Sequence, residues 1–65
     1  MNIVINGEPK VVHTEGLQDV LHELGYQNKV IVTALNGHFV SEPNRQQIQL
    51  KEGDKVEVLA PMQGG

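Results

Sequence analysis

The sequence predicts an α+β fold: a mixed sheet of four to five short strands, one main helix across one of its faces, and an extended C-terminal tail. Three observations predict it. Leu17, Val20, Leu21 and Leu24 stand at i, i+3, i+4 and i+7, a single apolar stripe of helical period. On either side lie short alternating or β-branched runs, punctuated by Asn6-Gly7 and Asn36-Gly37. Asn-Gly favours the type I′ hairpin turn, in which both central residues need positive φ. A lone amphipathic helix has to bury its stripe, and these strands supply the sheet that receives it.

Taken in order, Met1–Asn6 places Ile3 and Ile5 on one face and Val4 on the other, and Asn6-Gly7 turns the chain back into Lys10–His13. Pro9 cannot donate a ladder hydrogen bond, so the turn is either longer than two residues or set at a sheet edge. In the helix, Gln18, Asp19, His22 and Glu23 take the wet side. Thr14 or Gly16 can cap its start, Glu15 and Asp19 suit the positive end of its dipole, and Gly25 supplies a left-handed stop. After a polar link at Gln27–Lys29, the nearly continuous run Val30–Leu35 reads as a strand buried on both faces. His38–Val40 returns from the second turn. Pro43 opens a helical turn through Arg45 and Gln46, Ile48 and Leu50 alternate with polar neighbours in a brief strand, and Lys51–Asp54 turns into a last strand, Lys55–Leu59. With Val56 and Val58 facing inward, that strand belongs in the middle of the sheet, beside the first. Residues 1–59 thus make the body and residues 60–65 the tail.

Length and composition narrow the function. A chain of 65 residues leaves about 40% of its unfolded surface exposed and cannot enclose an interior cleft. It has no cysteine, hence no disulfide and no thiolate ligand. His13, His22 and His38 do not fall at the i, i+4 spacing that puts two imidazoles on one helical face, so no metal site is expected. The carboxylates around Asp19 and Glu23 read as a solvated helix face rather than as an acid pair. Net charge is −3, and Lys10, Lys29, Arg45, Lys51 and Lys55 are scattered, which argues against a nucleic-acid partner. No basic segment followed by an apolar run opens the chain, and no stretch approaches the roughly 20 apolar residues that span a bilayer. A cytoplasmic protein without membrane partners is expected.

The tail carries the remaining signal. Ala60-Pro61-Met62-Gln63-Gly64-Gly65 would reach on the order of 20 Å when extended, and two glycines let its end enter a channel too narrow for side chains. A frayed terminus and a delivery arm are both open on these residues alone. Pro61 presets an extended φ and stiffens the base of the arm. Met62 has no core to join, and methionine adapts to varied apolar surfaces. Leu59, Pro61 and Met62 are therefore candidates for docking a partner. Phe39 is ordinarily a core residue in such a strand, but close to a sheet edge it could stand exposed and join them.

Taken together, Leu35-Asn36-Gly37 followed by Phe39-Val40, Glu52-Gly53-Asp54 leading into Val56-Glu57-Val58, and terminal Gly64-Gly65 resemble the ubiquitin-like β-grasp sulfur carriers of the ThiS/MoaD family, across essentially the whole chain. The resemblance implies a protein that is modified rather than one that catalyses. In that family an E1-like adenylating enzyme of the ThiF/MoeB type activates the terminal glycine carboxylate with ATP. A sulfur donor system then converts it to a thiocarboxylate, and a downstream enzyme collects the sulfur. Carried over, Gly65 bears the adenylate and then the thiocarboxylate, while Gln63, Gly64 and Gly65 enter the partners' active sites. The chemistry is consistent with that division. A carboxylate of pKa about 3.5 is ionised and unreactive at neutral pH, and no Gly-x-x-x-x-Gly-Lys loop is present to bind ATP, so the nucleotide site falls to the partner and no cofactor is expected on this chain. The short length favours a carrier for the thiazole of thiamin, with a thiazole synthase of the ThiG type as acceptor. Proline in this part of the tail departs from that pattern and is more like the small subunit of molybdopterin synthase. Carriers for molybdopterin, tRNA thiolation or a sulfur amino acid, a protein modifier joined to lysines, and an interaction domain with an inert tail share the same fold.

Overall fold

The computed structural model describes residues 1–26 and 30–61. The Gln27–Lys29 link and Met62, Gln63, Gly64 and Gly65 lie outside the described residues. Five strands, β1 (Asn2–Ile5), β2 (Glu8–Val11), β3 (Val32–Leu35), β4 (His38–Val40) and β5 (Lys55–Leu59), form one sheet in the order β2-β1-β5-β3-β4. β1 and β5 run parallel, and the other neighbours are antiparallel. β5 is central and beside β1, as its apolar inward positions require. The helix α1 (Leu17–Glu23) packs on one face, and a 3₁₀ helix (Glu42–Gln47) contacts it.

Burial follows the pleat. Ile3 and Ile5 of β1, Val56 and Val58 of β5, and Val40 of β4 meet Leu17, Val20 and Leu21 of α1 in the core. Each such side chain removed from water contributes about 1.5–3 kcal/mol before entropy is counted. α1 stops as its glycine dictates. Gly25 takes φ 92°, its N–H donates to the His22 carbonyl, and Tyr26 N–H donates to the Leu21 carbonyl at 2.8 Å, the paired bonds of a Schellman end. At the other end Gly16 is the capping residue, with no side-chain bond. Thr14 does not cap the helix. Its hydroxyl donates to Glu23 instead, at 2.9 Å.

The sheet-edge alternative for Pro9 holds, and three other expectations are corrected. The two-residue turn closes despite Pro9: Ile5 pairs with Glu8 across Asn6-Gly7, at φ 50° and 83°. Pro9 sits opposite Val4 on an edge strand, and because Val4 N–H points the other way, to the Asp54 carbonyl of the β5 side, the proline nitrogen faces the outer edge, where no ladder bond is lost. The returning strand accordingly starts earlier than Lys10 and ends at Val11. The run Val30–Leu35 is not buried on both faces: Ile31 and Thr33 point in, while Val30 is 70% and Val32 44% exposed. Among the described residues, only one face of the sheet carries a helix. Finally, no strand forms at Gln47–Lys51. The 3₁₀ helix extends to Gln47, and the following residues make an isolated bridge, Gly16 with Gln49, held by Leu17 N–H to the Ile48 carbonyl and Leu50 N–H to the Glu15 carbonyl.

Arg45 explains the longer 3₁₀ segment. It is buried, its Nε donates to Thr33 Oγ1 at 3.0 Å and its Nη2 to the Ile31 carbonyl at 2.7 Å. Thr33 Oγ1 in turn donates to the Val40 carbonyl at 2.8 Å. Buried polar groups have to be satisfied in this way, and the network locks the 3₁₀ helix onto β3.

Candidate functional site

On the face of the sheet away from α1, strand register assembles an apolar surface. Val32 pairs with Leu59, and Ala34 pairs with both Phe39 and Glu57. Because Thr33, Val40, Val56 and Val58 point into the core, these alternate residues all project outward. Phe39 is 71% and Leu59 67% exposed. Phe39 is therefore not a core residue: β4 is a three-residue edge strand, and Val40 occupies its inward position. Asn6, Val32, Ala34, Glu57 and Leu59 border a shallow depression of about 340 Å³ whose floor includes Thr33 and Val58. Exposed apolar residues scattered singly are ordinary; several on one face make that face a candidate for docking. Glu57 and Lys55 share this outer face as its charged members.

Two asparagines fasten β5 within the sheet. Both sit at φ 50° in their turns. Asn36 Oδ1 accepts the Lys55 N–H at 3.0 Å, at the start of β5. Asn6 Oδ1 accepts the Val58 N–H at 2.8 Å and Asn6 Nδ2 donates to the Val58 carbonyl at 3.0 Å, near its end. Ala60 and Pro61 follow, exposed and outside any regular element.

Two exposed carboxylates secure the neighbouring loops. Glu23 accepts the backbone N–H groups of His13 and Thr14 and the Thr14 hydroxyl. The bond from His13 N–H is the main cause that holds its carboxyl below the ordinary glutamate value of 4.5. Glu52 accepts both the backbone N–H and the side-chain amide of Asn2, and the first of these is the main cause of a carboxyl likewise lowered. The three histidines are exposed, and His22 Nε2 lies 3.0 Å from Gln18 Nε2. Among the described residues, no three His, Cys, Asp or Glu side chains gather as a metal site, and no helix is long and apolar enough to cross a membrane.

Of the residues singled out in the sequence, the fold brings Leu59 and Phe39 onto one face, with Pro61 just beyond the strand. Met62, Gln63, Gly64 and Gly65 lie outside the described residues. Sequence reasoning missed Val32, hidden in a run that reads as buried throughout, and Asn6, whose turn role masks its bonds to β5.

The sequence matches the ThiS family model over residues 3–65. This chain belongs to the ThiS family. It is 39% identical over 64 residues to a protein of Thermus thermophilus named sulfur carrier protein ThiS, covering 94% of this chain and 95% of that one. Its fold is similar to the crystal structure of the thiamine biosynthesis protein ThiS from Geobacter metallireducens, with TM-score 0.81, 30% identity and complete coverage of both chains. The solution structure of a thiamine biosynthesis protein from the same organism gives TM-score 0.80 and 30% identity, over 100% of this chain and 88% of that one. The sheet with its single main helix is thus the ubiquitin-like β-grasp of the ThiS family.

Proposed function

We propose that this chain is a cytoplasmic sulfur carrier for the thiazole of thiamin, a protein co-substrate rather than an enzyme. The Gly65 carboxylate attacks the α-phosphorus of ATP within an E1-like adenylating enzyme, releasing pyrophosphate. A nucleophilic sulfur from a donor system then displaces AMP and leaves a thiocarboxylate on Gly65, which a thiazole synthase consumes. The partner supplies the nucleotide site and the cationic groups that stabilise phosphoryl charge. In this reading Gln63, Gly64 and Gly65 are the inserted segment, while Leu59, Pro61, Met62 and Phe39 dock the partner, joined by Val32.

The family match, which runs through Gly65, carries this reading. It is supported by the bare apolar face beside Leu59, the last residue of β5. A chain that delivers its own end into another protein needs a recognition surface close to that end. The test is intact-mass analysis after incubation with ATP, the cognate adenylating enzyme and a sulfur source. Exchange of one oxygen for sulfur on wild type, and none after deletion of Gly65, is the expected result. An unmodified wild-type chain in the presence of an enzyme shown to be active overturns it, and a ladder of conjugates to other proteins points instead to a modifier.

A further inference from the structure

β1 and β5 are joined by only two register pairs, Val4 with Lys55 and Ile5 with Val56. Past Ile5 the backbone leaves β5 for the Asn6-Gly7 turn, and continuing the parallel ladder toward Val58 would require peptide groups that have turned away. The Asn6 side chain replaces them. Asn6 backbone N–H still donates to the Val56 carbonyl at 2.9 Å. Its own carbonyl would be the next acceptor in a parallel ladder, and Asn6 Oδ1 takes that place, receiving the Val58 N–H at 2.8 Å. The next donor would come from two residues further on, and Asn6 Nδ2 takes that place, donating to the Val58 carbonyl at 3.0 Å. One carboxamide thus forms a complete rung. Among side chains, only Asn combines this donor and acceptor in a planar group short enough to reach from a turn residue of positive φ.

We propose that Asn6 is a positioning residue for the C-terminal arm: by closing the last rung on the β1 side, it fixes the direction in which β5 ends and so presents the chain's terminus to the adenylating partner. The inference rests on the carrier reading. β5 is then held near its end from both sides, by Asn6 at Val58 and by the pairing of Val32 with Leu59. A shift at Val58 is passed to Leu59, the last residue of β5, and misplacement of reacting groups by about 1 Å can cost on the order of a hundredfold in rate.

The second Asn-Gly turn provides a matched control. Asn36 has the same φ of 50°, is followed by Gly37 at φ 84°, and bonds to β5 through Lys55, at the end remote from the arm. Glycine accepts positive φ, so Asn6→Gly and Asn36→Gly each remove a side-chain clamp while keeping the turn. Two readouts are taken on the full-length chain, amide hydrogen exchange and steady-state pyrophosphate release by the adenylating enzyme with ATP and a sulfur source that discharges the adenylate. Asn6→Gly should speed exchange at Val58 and lower kcat about ten- to a hundredfold with little change in KM. Asn36→Gly should speed exchange at Lys55 and leave kcat within about twofold of wild type. Asn6→Asp keeps the turn and the acceptor for Val58 N–H but sets an anionic oxygen against the Val58 carbonyl, so it too should speed exchange at Val58 and lower kcat, and it replaces Asn6→Gly if that variant fails to fold. Equal kcat for the Asn6 and Asn36 variants, or unchanged exchange at Val58, overturns the inference alone. No pyrophosphate release with the wild-type chain overturns the carrier reading and, with it, the purpose assigned to Asn6.

Discussion

On the face of the sheet under α1, Ile3, Ile5, Val56 and Val58 are buried against Leu17, Val20 and Leu21, whereas on the opposite face Val32, Phe39 and Leu59 stand in solvent. The residue types are alike, and β5 contributes to both faces within five residues. What separates them is cover. Among the described residues one main helix covers one face, and an apolar second face adds nothing to a folded monomer that polar residues would not. Its composition fits the partner surface proposed above, and it includes Leu59 at the end of β5.

Substitutions can break this comparison. The largest effect is expected under the helix: Leu21→Ala should cost about 2–5 kcal/mol through lost burial and the cavity left behind, measured by urea unfolding. Next is Thr33→Val, which keeps the shape but removes the hydroxyl that accepts from Arg45 Nε and donates to the Val40 carbonyl. Leaving such groups unpaired costs about 1–3 kcal/mol. On the bare face, Leu59→Asp and Phe39→Asp should each change stability by no more than about 0.5 kcal/mol. Both should weaken binding to the proposed adenylating partner by tenfold or more, read by titration calorimetry, since a buried anchor at an interface is often worth about 2 kcal/mol. Unfolding by Leu59→Asp, or unchanged affinity in both variants, would erase the distinction between the faces.

The covered face was the more legible in sequence because its two periods are unmixed: the α1 stripe recurs at helical spacing, and Ile3, Ile5, Val56 and Val58 alternate with polar or half-buried neighbours. β3 was misread for the converse reason. Where both faces are apolar, alternation disappears from the sequence, and Val30 and Val32 cannot be told from Ile31 and Thr33 without knowing where the helix lies. Arg45 was hidden because its acceptors are a distant hydroxyl and a backbone carbonyl, which no spacing rule connects to it. The Asn-Gly pairs signalled both turns correctly, but turn chemistry does not disclose that the same side chains also fasten β5. Leu59 and Phe39 were singled out from their nearness to the tail and the edge, and the register that brings them together with Val32 is a tertiary fact.

Acid gives the finest separation of the two faces. Glu23, at the C-terminal end of α1, holds the loop that leads from β2 into the helix, through His13 and Thr14. Glu52 holds Asn2 at the start of β1. Both carboxyls are lowered from 4.5 in the folded chain, so the unfolded chain binds the proton more readily. The stability each contributes is then fully present above the unfolded value and is lost as pH falls through the lower folded one. The urea midpoint of the wild-type chain should therefore decline below pH 4.5. Glu23→Gln should flatten that decline, and Glu52→Gln should flatten it less, because Glu23 has three donors from two residues and Glu52 has two from a single residue. Exposure of both groups to water keeps these effects small. Neither variant should alter partner binding at neutral pH, since neither carboxylate lies among the residues of the bare face. A change in affinity at neutral pH for Glu23→Gln would show that the covered side takes part in recognition, and the division between the faces would have to be redrawn.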